Sequence, residues 1–151
     1  MKVIAHDPGL PAGASPPSGV SMVGLDDLVS QSDFITLHLP LVPETKGLFG
    51  KDRLLKMKKS AYLINAARGG VVDEAGLYEV LKGGHLAGAA LDVFEKEPCG
   101  PSPLFELDNV IASPHVGAST SEAQQKVAIE LAEVFVDFLK NGKVRNPVNR
   151  L

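Results

Sequence analysis

The chain has 151 residues, 44% hydrophobic and 22% charged, which is the composition and length of one ordinary globular domain. Its net charge of −3 provides no basic surface for nucleic acid, and no apolar run reaches the length of a membrane span. The single cysteine, Cys99, excludes an internal disulfide and indicates a reducing compartment, so we expect a cytoplasmic protein without nucleic-acid or membrane partners.

Apolar runs that alternate with helical patterns predict a repeated strand–helix order along the chain. The predicted strands are 2–5, 34–37, 62–64, 87–93 and 110–112. The predicted helices are 25–30, 51–57, a helix capped by Asp73 that ends at Gly83-Gly84, and 122–140. A loop rich in proline and glycine fills residues 8–19. This alternation favours an α/β, Rossmann-like doubly wound parallel sheet with right-handed crossovers.

The last predicted helix, 122–140, carries apolar residues at the three-to-four spacing of an amphipathic helix. We interpret Phe135 and Phe138 on this face as core residues. Two charged residues of the loop after the fourth strand, Glu95 and Lys96, are interpreted as solvated.

The sequence contains no G-x-G-x-x-G loop, because Gly9, Gly13 and Gly19 do not have that spacing. Asp7, however, ends the first strand, and in a dinucleotide fold an acidic residue after the second strand binds the ribose hydroxyls. We therefore interpret 2–5 as the second strand of a fold that lacks its first βα unit and the Gly-rich loop. In the strand order 3-2-1-4-5-6 this predicts a gap between 2–5 and 62–64, whose open edges favour pairing with another chain and hence a homodimer.

Functional side chains follow three successive predicted strands, where the carboxyl ends of a parallel sheet bind ligands. Arg68 follows the strand 62–64, and His115 follows the strand 110–112. Asp92 lies at the end of the strand 87–93, and Glu97 follows that strand. A guanidinium can bind a carboxylate with two hydrogen bonds, and an imidazole near neutral pKa can take the hydroxyl proton during hydride transfer. A carboxylate beside the imidazole would fix its tautomer. The set suits a 2-hydroxy or 2-oxo acid, although each residue, like Asp7, could also be an ordinary loop or turn residue.

Three segments, 65–74, 88–98 and 114–120, resemble the arginine, acid and histidine motifs of the D-isomer-specific 2-hydroxyacid dehydrogenases. The resemblance covers essentially the whole chain but only part of the family's length, and the family's substrate domain has no counterpart here. It implies that residues 1–151 form a partial NAD-binding domain.

The resemblance also implies roles for individual residues. Arg68 would bind the substrate carboxylate and carbonyl, His115 would be the acid–base catalyst, and Glu97 would be its partner. The implied cofactor is NAD, and no metal is expected. The implied NAD site is formed by Asp7, His38, Leu39, Pro40, Ala66, Ala67, Arg68, Asp92, His115, Gly117 and Ala118.

The ending Gly117-Ala118-Ser119-Thr120 favours the branch of the family that acts on 3-phosphoglycerate in serine biosynthesis. Two alternatives stay open: a glyoxylate or hydroxypyruvate reductase with the same mechanism, and a non-catalytic corepressor-like protein that keeps NAD binding. Because the pyrophosphate-binding loop and helix N-terminus are missing, we expect this segment alone to be inactive.

Overall fold

The structure is a computed structural model that describes residues 1–11 and 14–148. Its elements are β1 (Val3–Ala5), β2 (Val20–Met22), α1 (Leu25–Gln31), β3 (Phe34–Leu37), α2 (Lys51–Leu54), β4 (Tyr62–Asn65), α3 (Glu74–Lys82), β5 (Gly88–Leu91), a 3-10 helix (Pro103–Glu106), β6 (Val110–Ala112) and α4 (Ser121–Asn141). They form two compact units, Met1–Pro114 and His115–Leu151.

The main sheet of the first unit has the strand order β3-β4-β5-β6, and all its strands are parallel. Side chains alternate between its faces, and one face carries Ile35, Leu63 and Ala89 into the hydrophobic core. Residues of α2 and α3, such as Leu54 and Leu77, belong to the same core. The predicted α/β Rossmann-like fold is therefore confirmed.

A second, two-stranded parallel sheet consists of β1 and β2. The strand β2 was not predicted, because the serine in Val20-Ser21-Met22 interrupts the apolar run directly after the proline-rich loop. The predicted position of the gap is consequently wrong. In the structure β4 is paired on both edges, by β3 and β5, and the edge strands of the described main sheet are β3 and β6.

The other face of the main sheet exposes large apolar side chains. Phe34 and Tyr62 lie side by side on it and stack with their ring centroids 5.3 Å apart. Ile111, on β6, is 74% exposed. The first unit therefore buries one sheet face and presents an apolar surface on the other.

The second unit consists mainly of α4. The side chain of Thr120 caps the helix by accepting a hydrogen bond from the Ala123 N–H at 3.1 Å, and Gly142 ends it in the left-handed conformation. The interpretation of Phe135 and Phe138 as core residues is wrong, since they are 58% and 48% exposed. The periodicity correctly predicted an amphipathic helix, but it carries no information on what covers the apolar face.

The remaining boundaries differ from the predictions only at the ends of elements. The helix predicted over 51–57 is α-helical over Lys51–Leu54 and continues as a turn, and the strand predicted over 87–93 is Gly88–Leu91. Across the part of the chain that the structure describes, no helix has both the length and the apolar character needed to cross a membrane.

Candidate functional site

The turn that follows β4, residues 66–70, is called here the arginine turn. Asn65, the last residue of β4, is 2% exposed and holds this turn with both ends of its amide. Its Oδ1 accepts a hydrogen bond from the Ala67 N–H at 3.1 Å, and its Nδ2 donates to the Arg68 carbonyl oxygen at 3.2 Å. Asn65 was not among the predicted site residues, although a polar residue at the end of an apolar buried strand is a recognisable signal.

Arg68 is exposed at the carboxyl end of the sheet, as predicted from the sequence. Its Nη1 donates a hydrogen bond to the carbonyl oxygen of Ala67 at 2.6 Å. Because a guanidinium carries five N–H donors in a planar fork, one bond to the backbone orients the side chain and leaves capacity for an anionic ligand.

The arginine turn packs directly on the loop that follows β5. A Cβ added to Gly69 would lie 1.8 Å from the Phe94 carbonyl oxygen, so only glycine permits this approach. On its other side the turn is held by the 47–49 segment, since the Gly47 N–H donates to the Gly70 carbonyl oxygen at 2.8 Å. The position of Arg68 is thus fixed by contacts on both flanks of the turn.

Residues 92–98, called here the acid segment, begin at a buried carboxylate. Asp92 is 9% exposed, and its N–H donates to the Asn65 carbonyl oxygen at 2.9 Å. The Ser113 hydroxyl donates to Asp92 Oδ1 at 2.6 Å. These two bonds connect the carboxyl ends of β4, β5 and β6, so Asp92 organises the edge of the sheet where Arg68 lies.

Glu97 lies exposed near the end of the acid segment. Its Oε1 accepts a hydrogen bond from the Phe94 N–H at 3.0 Å, which folds the carboxylate back over its own loop. This bond gives the carboxylate a defined orientation on its loop, while the side chain stays exposed.

Two further glutamates connect the acid segment to the start of α3. The Glu74 N–H donates to Glu95 Oε1 at 3.2 Å, and the Glu95 N–H donates to Glu74 Oε1 at 2.6 Å. Burial raises the pKa of the Glu74 carboxyl, and the nearby charge of Glu95 raises the same pKa further, although a backbone hydrogen bond opposes both effects. Asp73 occupies the N-cap position as predicted, but its side chain makes no cap hydrogen bond. Glu95 is an exposed loop residue, as the sequence suggested, and its carboxylate also accepts the hydrogen bond from the Glu74 N–H.

The other cofactor candidates of the first unit follow β1 and β3. The carboxylate of Asp7 accepts a hydrogen bond from the Gly9 N–H at 2.8 Å, which forms a turn and leaves the side chain exposed. The His38 Nε2 lies 2.9 Å from the Thr36 hydroxyl, and the Pro40 carbonyl oxygen accepts a hydrogen bond from the Thr45 hydroxyl at 2.7 Å. Leu39 lies between these anchored residues.

His115 is the first residue of the second unit, which also contains Gly117 and Ala118. It has a φ of 56°, in the left-handed region that few residues other than glycine adopt. The next turn is closed by the Ser119 N–H, which donates to the Val116 carbonyl oxygen at 2.8 Å. The first unit thus brings together the arginine turn, Asp92 and Glu97, whereas His115 belongs to the other unit.

These residues fit part of a dinucleotide. Asp7 offers an exposed acceptor for ribose hydroxyls, and the carboxyl ends of β3, β4 and β5 form the edge where nucleotides bind parallel α/β sheets. No glycines in the sequence have the spacing of a pyrophosphate-binding loop.

Residues 1–117 match the family model of the D-isomer specific 2-hydroxyacid dehydrogenase, NAD binding domain. The chain is 50% identical over 150 residues to D-3-phosphoglycerate dehydrogenase of Archaeoglobus fulgidus. The matched region covers 99% of this chain and 28% of that protein. It is 45% identical over 150 residues to D-3-phosphoglycerate dehydrogenase of Methanocaldococcus jannaschii, with coverage of 99% and 29%. The chain therefore spans less than a third of the length of these relatives.

Longer chains of known structure contain the same fold. A glyoxylate reductase from Paecilomyes thermophila superposes with a TM-score of 0.86 at 30% identity, over 98% of this chain and 45% of that chain. The NAD-complexed D-isomer specific 2-hydroxyacid dehydrogenase of Lactobacillus delbrueckii ssp. bulgaricus superposes with a TM-score of 0.81 at 33% identity, over 98% and 49%. This chain belongs to the D-isomer specific 2-hydroxyacid dehydrogenase family and carries its NAD-binding domain.

Proposed function

We propose that this chain is the NAD-binding part of a dehydrogenase that interconverts a D-2-hydroxy acid and the corresponding 2-oxo acid. The observation that carries this proposal is the packing of the arginine turn on the acid segment, with Gly69 against the Phe94 carbonyl. This contact keeps a cation, Arg68, next to a segment whose carboxylates include Asp92 and Glu97. NAD, when bound, would accept the hydride from the substrate carbon.

The chain's own residues would bind the acid and move its proton. Arg68 would grip the substrate carboxylate with its planar fork, which also orients the adjacent hydroxyl. His115 would take the hydroxyl proton, since an imidazole titrates near neutral pH. Glu97 would stabilise the resulting imidazolium, in a role for which its hydrogen bond to the Phe94 N–H supplies a fixed orientation.

The substrate that we propose is 3-phosphoglycerate. The support is similarity, since relatives with the name D-3-phosphoglycerate dehydrogenase are 45% to 50% identical over 150 residues. Glyoxylate or hydroxypyruvate is the second candidate, because a glyoxylate reductase superposes with a TM-score of 0.86, but its sequence identity is only 30%.

We propose that NAD is preferred over NADP. The exposed carboxylate of Asp7 would accept hydrogen bonds from the ribose hydroxyls and repel a 2′-phosphate. We propose a cytoplasmic location, because the sequence has a single cysteine. We propose a homodimer, because β1 and β3 each have an open strand edge in the described sheets.

The test is an NADH-absorbance assay on the protein at its full natural length, with phosphohydroxypyruvate, hydroxypyruvate and glyoxylate as substrates. We expect the highest kcat/KM with phosphohydroxypyruvate. His115→Ala should abolish turnover while NADH binding persists, and Arg68→Lys should raise KM because the fork is lost. His85→Gln is the matched control, because His85 lies before the start of β5, at the opposite end of that strand from Asp92. Its Nε2 forms a hydrogen bond with the Met57 carbonyl oxygen, not with a proposed site residue. Near-normal turnover by the His115→Ala enzyme would contradict the proposed roles.

A further inference from the structure

The helix α3 is capped from a distant part of the chain. The first N–H groups of a helix have no partner within it, and the usual remedy is a local side chain at the N-cap position. Asp73 holds that position without making the bond, whereas Glu95, 21 residues further along, accepts the Glu74 N–H at 3.2 Å. A carboxylate is also favoured there by the positive end of the helix dipole.

The contact is reciprocal, which a simple helix cap would not require. The Glu74 carboxylate reaches back and accepts the Glu95 N–H at 2.6 Å, so each glutamate binds the other's backbone. Two like-charged side chains meet in this arrangement, and the pKa of the Glu74 carboxyl is raised by burial and by Glu95. A local cap by Asp73 would avoid this electrostatic cost but would not connect the two segments.

The two segments connected in this way carry the functional side chains. Arg68 precedes Gly69, which touches the Phe94 carbonyl, and Glu74 lies four residues after Gly70. On the other segment Glu95 follows Phe94, whose N–H holds the Glu97 carboxylate at 3.0 Å. The contact of Gly69 with Phe94 is one attachment of the acid segment to the arginine turn. The glutamate pair is a second attachment, which joins the acid segment to the helix α3 that follows this turn.

We propose that Glu74 and Glu95 are positioning residues that hold the acid segment at a fixed distance from the arginine turn and thereby set Glu97 relative to Arg68. This inference rests on the proposed dehydrogenase function. Neither glutamate is proposed to contact substrate or cofactor. Both act by positioning Glu97 and Arg68, which are proposed to take part in the reaction.

Amide hydrogen exchange tests the attachment without any assay of activity. In Glu95→Ala the Glu74 N–H loses its acceptor, so its exchange should accelerate about tenfold. Glu95→Gln keeps an oxygen acceptor of the same length and should restore the protection, whereas Glu95→Asp is shorter and should not. Glu44→Ala, at an exposed loop position, is the matched control and should leave the Glu74 amide unchanged. Unchanged exchange in both Glu95→Ala and Glu95→Asp would overturn the proposal.

Steady-state kinetics of the protein at its full natural length tests the consequence for Glu97. Glu95→Ala should lower kcat about tenfold and shift the pH profile, because the partner of the base is displaced, while the KM for NAD stays nearly constant. Glu95→Gln should recover both kcat and the profile. If Glu95→Ala only reduced the amount of folded protein, the apparent kcat would fall and the pH profile would not move. An unmoved pH profile in Glu95→Ala, with or without a lower kcat, would overturn the positioning role.

The two assays separate this inference from the function on which it rests. If the wild-type protein turns over none of the three oxo acids, the proposed function fails. The exchange of the Glu74 amide in Glu95→Ala and Glu95→Asp then decides alone whether the glutamates connect the two segments.

Discussion

Asn65 is the residue on which the geometry of the arginine turn depends most directly. Its amide bonds to the Ala67 N–H and to the Arg68 carbonyl oxygen from a position that is 2% exposed. Asn65→Ala would leave both backbone groups without this partner, so we expect the free energy of unfolding to fall by about 2 kcal/mol. Urea unfolding of the 151-residue chain measures this change.

Asn141→Ala is the matched control, because Asn141 is exposed near the end of α4 and its side chain makes a single long bond of 3.5 Å to Asp137. We expect a change within about 0.5 kcal/mol for this variant. Equal effects of the two substitutions would contradict the role of Asn65.

The sequence predicted the positions of Arg68, Asp92 and Glu97 after their strands, because strand ends can be recognised from hydrophobic patterns. It did not predict what Asn65 does, since that depends on the shape of the turn that follows. Nor did it predict the bond from Ser113 to Asp92, which joins two strands that are adjacent only in space.

At the scale of elements, the contact between the arginine turn and the acid segment depends on one glycine. A Cβ at Gly69 would lie 1.8 Å from the Phe94 carbonyl oxygen, and backbone cannot move aside as a flexible side chain can. We expect Gly69→Ala to destabilise the chain by roughly 1–3 kcal/mol through overpacking, as measured by urea unfolding.

The control is Gly100→Ala, because an added Cβ at Gly100 has nothing within 4 Å. This substitution should leave stability unchanged or raise it slightly by restricting the unfolded chain. If Gly69→Ala were as well tolerated as Gly100→Ala, the close packing of the two segments would be wrong.

The glutamate pair between these elements makes stability depend on pH. The pKa of Glu74 is raised above its ordinary value of 4.5, so the folded state binds more protons than the unfolded state around and above that pH. The contribution of this carboxyl therefore becomes less favourable as the pH rises through that range. Glu74→Gln removes the titration and keeps an oxygen acceptor, so its stability relative to wild type should increase between about pH 4 and about pH 7.

Thermal unfolding across that pH range measures this difference. Glu44→Gln, at an exposed loop position, serves as the control and should follow the wild-type curve. A difference between Glu74→Gln and wild type that stays constant with pH would contradict the shifted titration.

Uninterrupted apolar runs were predicted as strands from the sequence even where the strand has only three residues, as in β1 and β6. Apolar runs located β3, β4, β5 and β6, although only the first three carry buried side chains and the residues of β6 are half-buried or exposed. The strand β2 has three residues with one serine among them, and only its pairing with β1 reveals it. That omission moved the predicted open edge from β3 to β4.

At the scale of the whole molecule, the order of the three motifs along the chain is that of the family, and the structure divides these motifs between two units. The arginine turn and the acid segment belong to the unit Met1–Pro114, and the histidine motif continues into His115–Leu151. The sequence predicted one partial domain, since nothing in the pattern of Ser113-Pro114-His115 distinguishes a connection between units from an ordinary loop.

The last prediction concerns association of the 151-residue chain. The main sheet exposes Phe34 and Ile111, which are 60% and 74% exposed, and its edge strand β3 has no second neighbour among the described strands. Apolar faces and open edges of this kind favour contact between copies. We expect sedimentation velocity to show dimers or larger species that dissociate on dilution, and NADH titration to show weak binding. The double substitution Phe34→Thr/Ile111→Thr places threonine, a β-branched residue that suits strands, at both positions and should shift the population towards monomer, whereas Leu55→Thr, outside the sheet, should not. A wild-type chain that stays monomeric at all concentrations and binds NADH tightly would contradict this prediction.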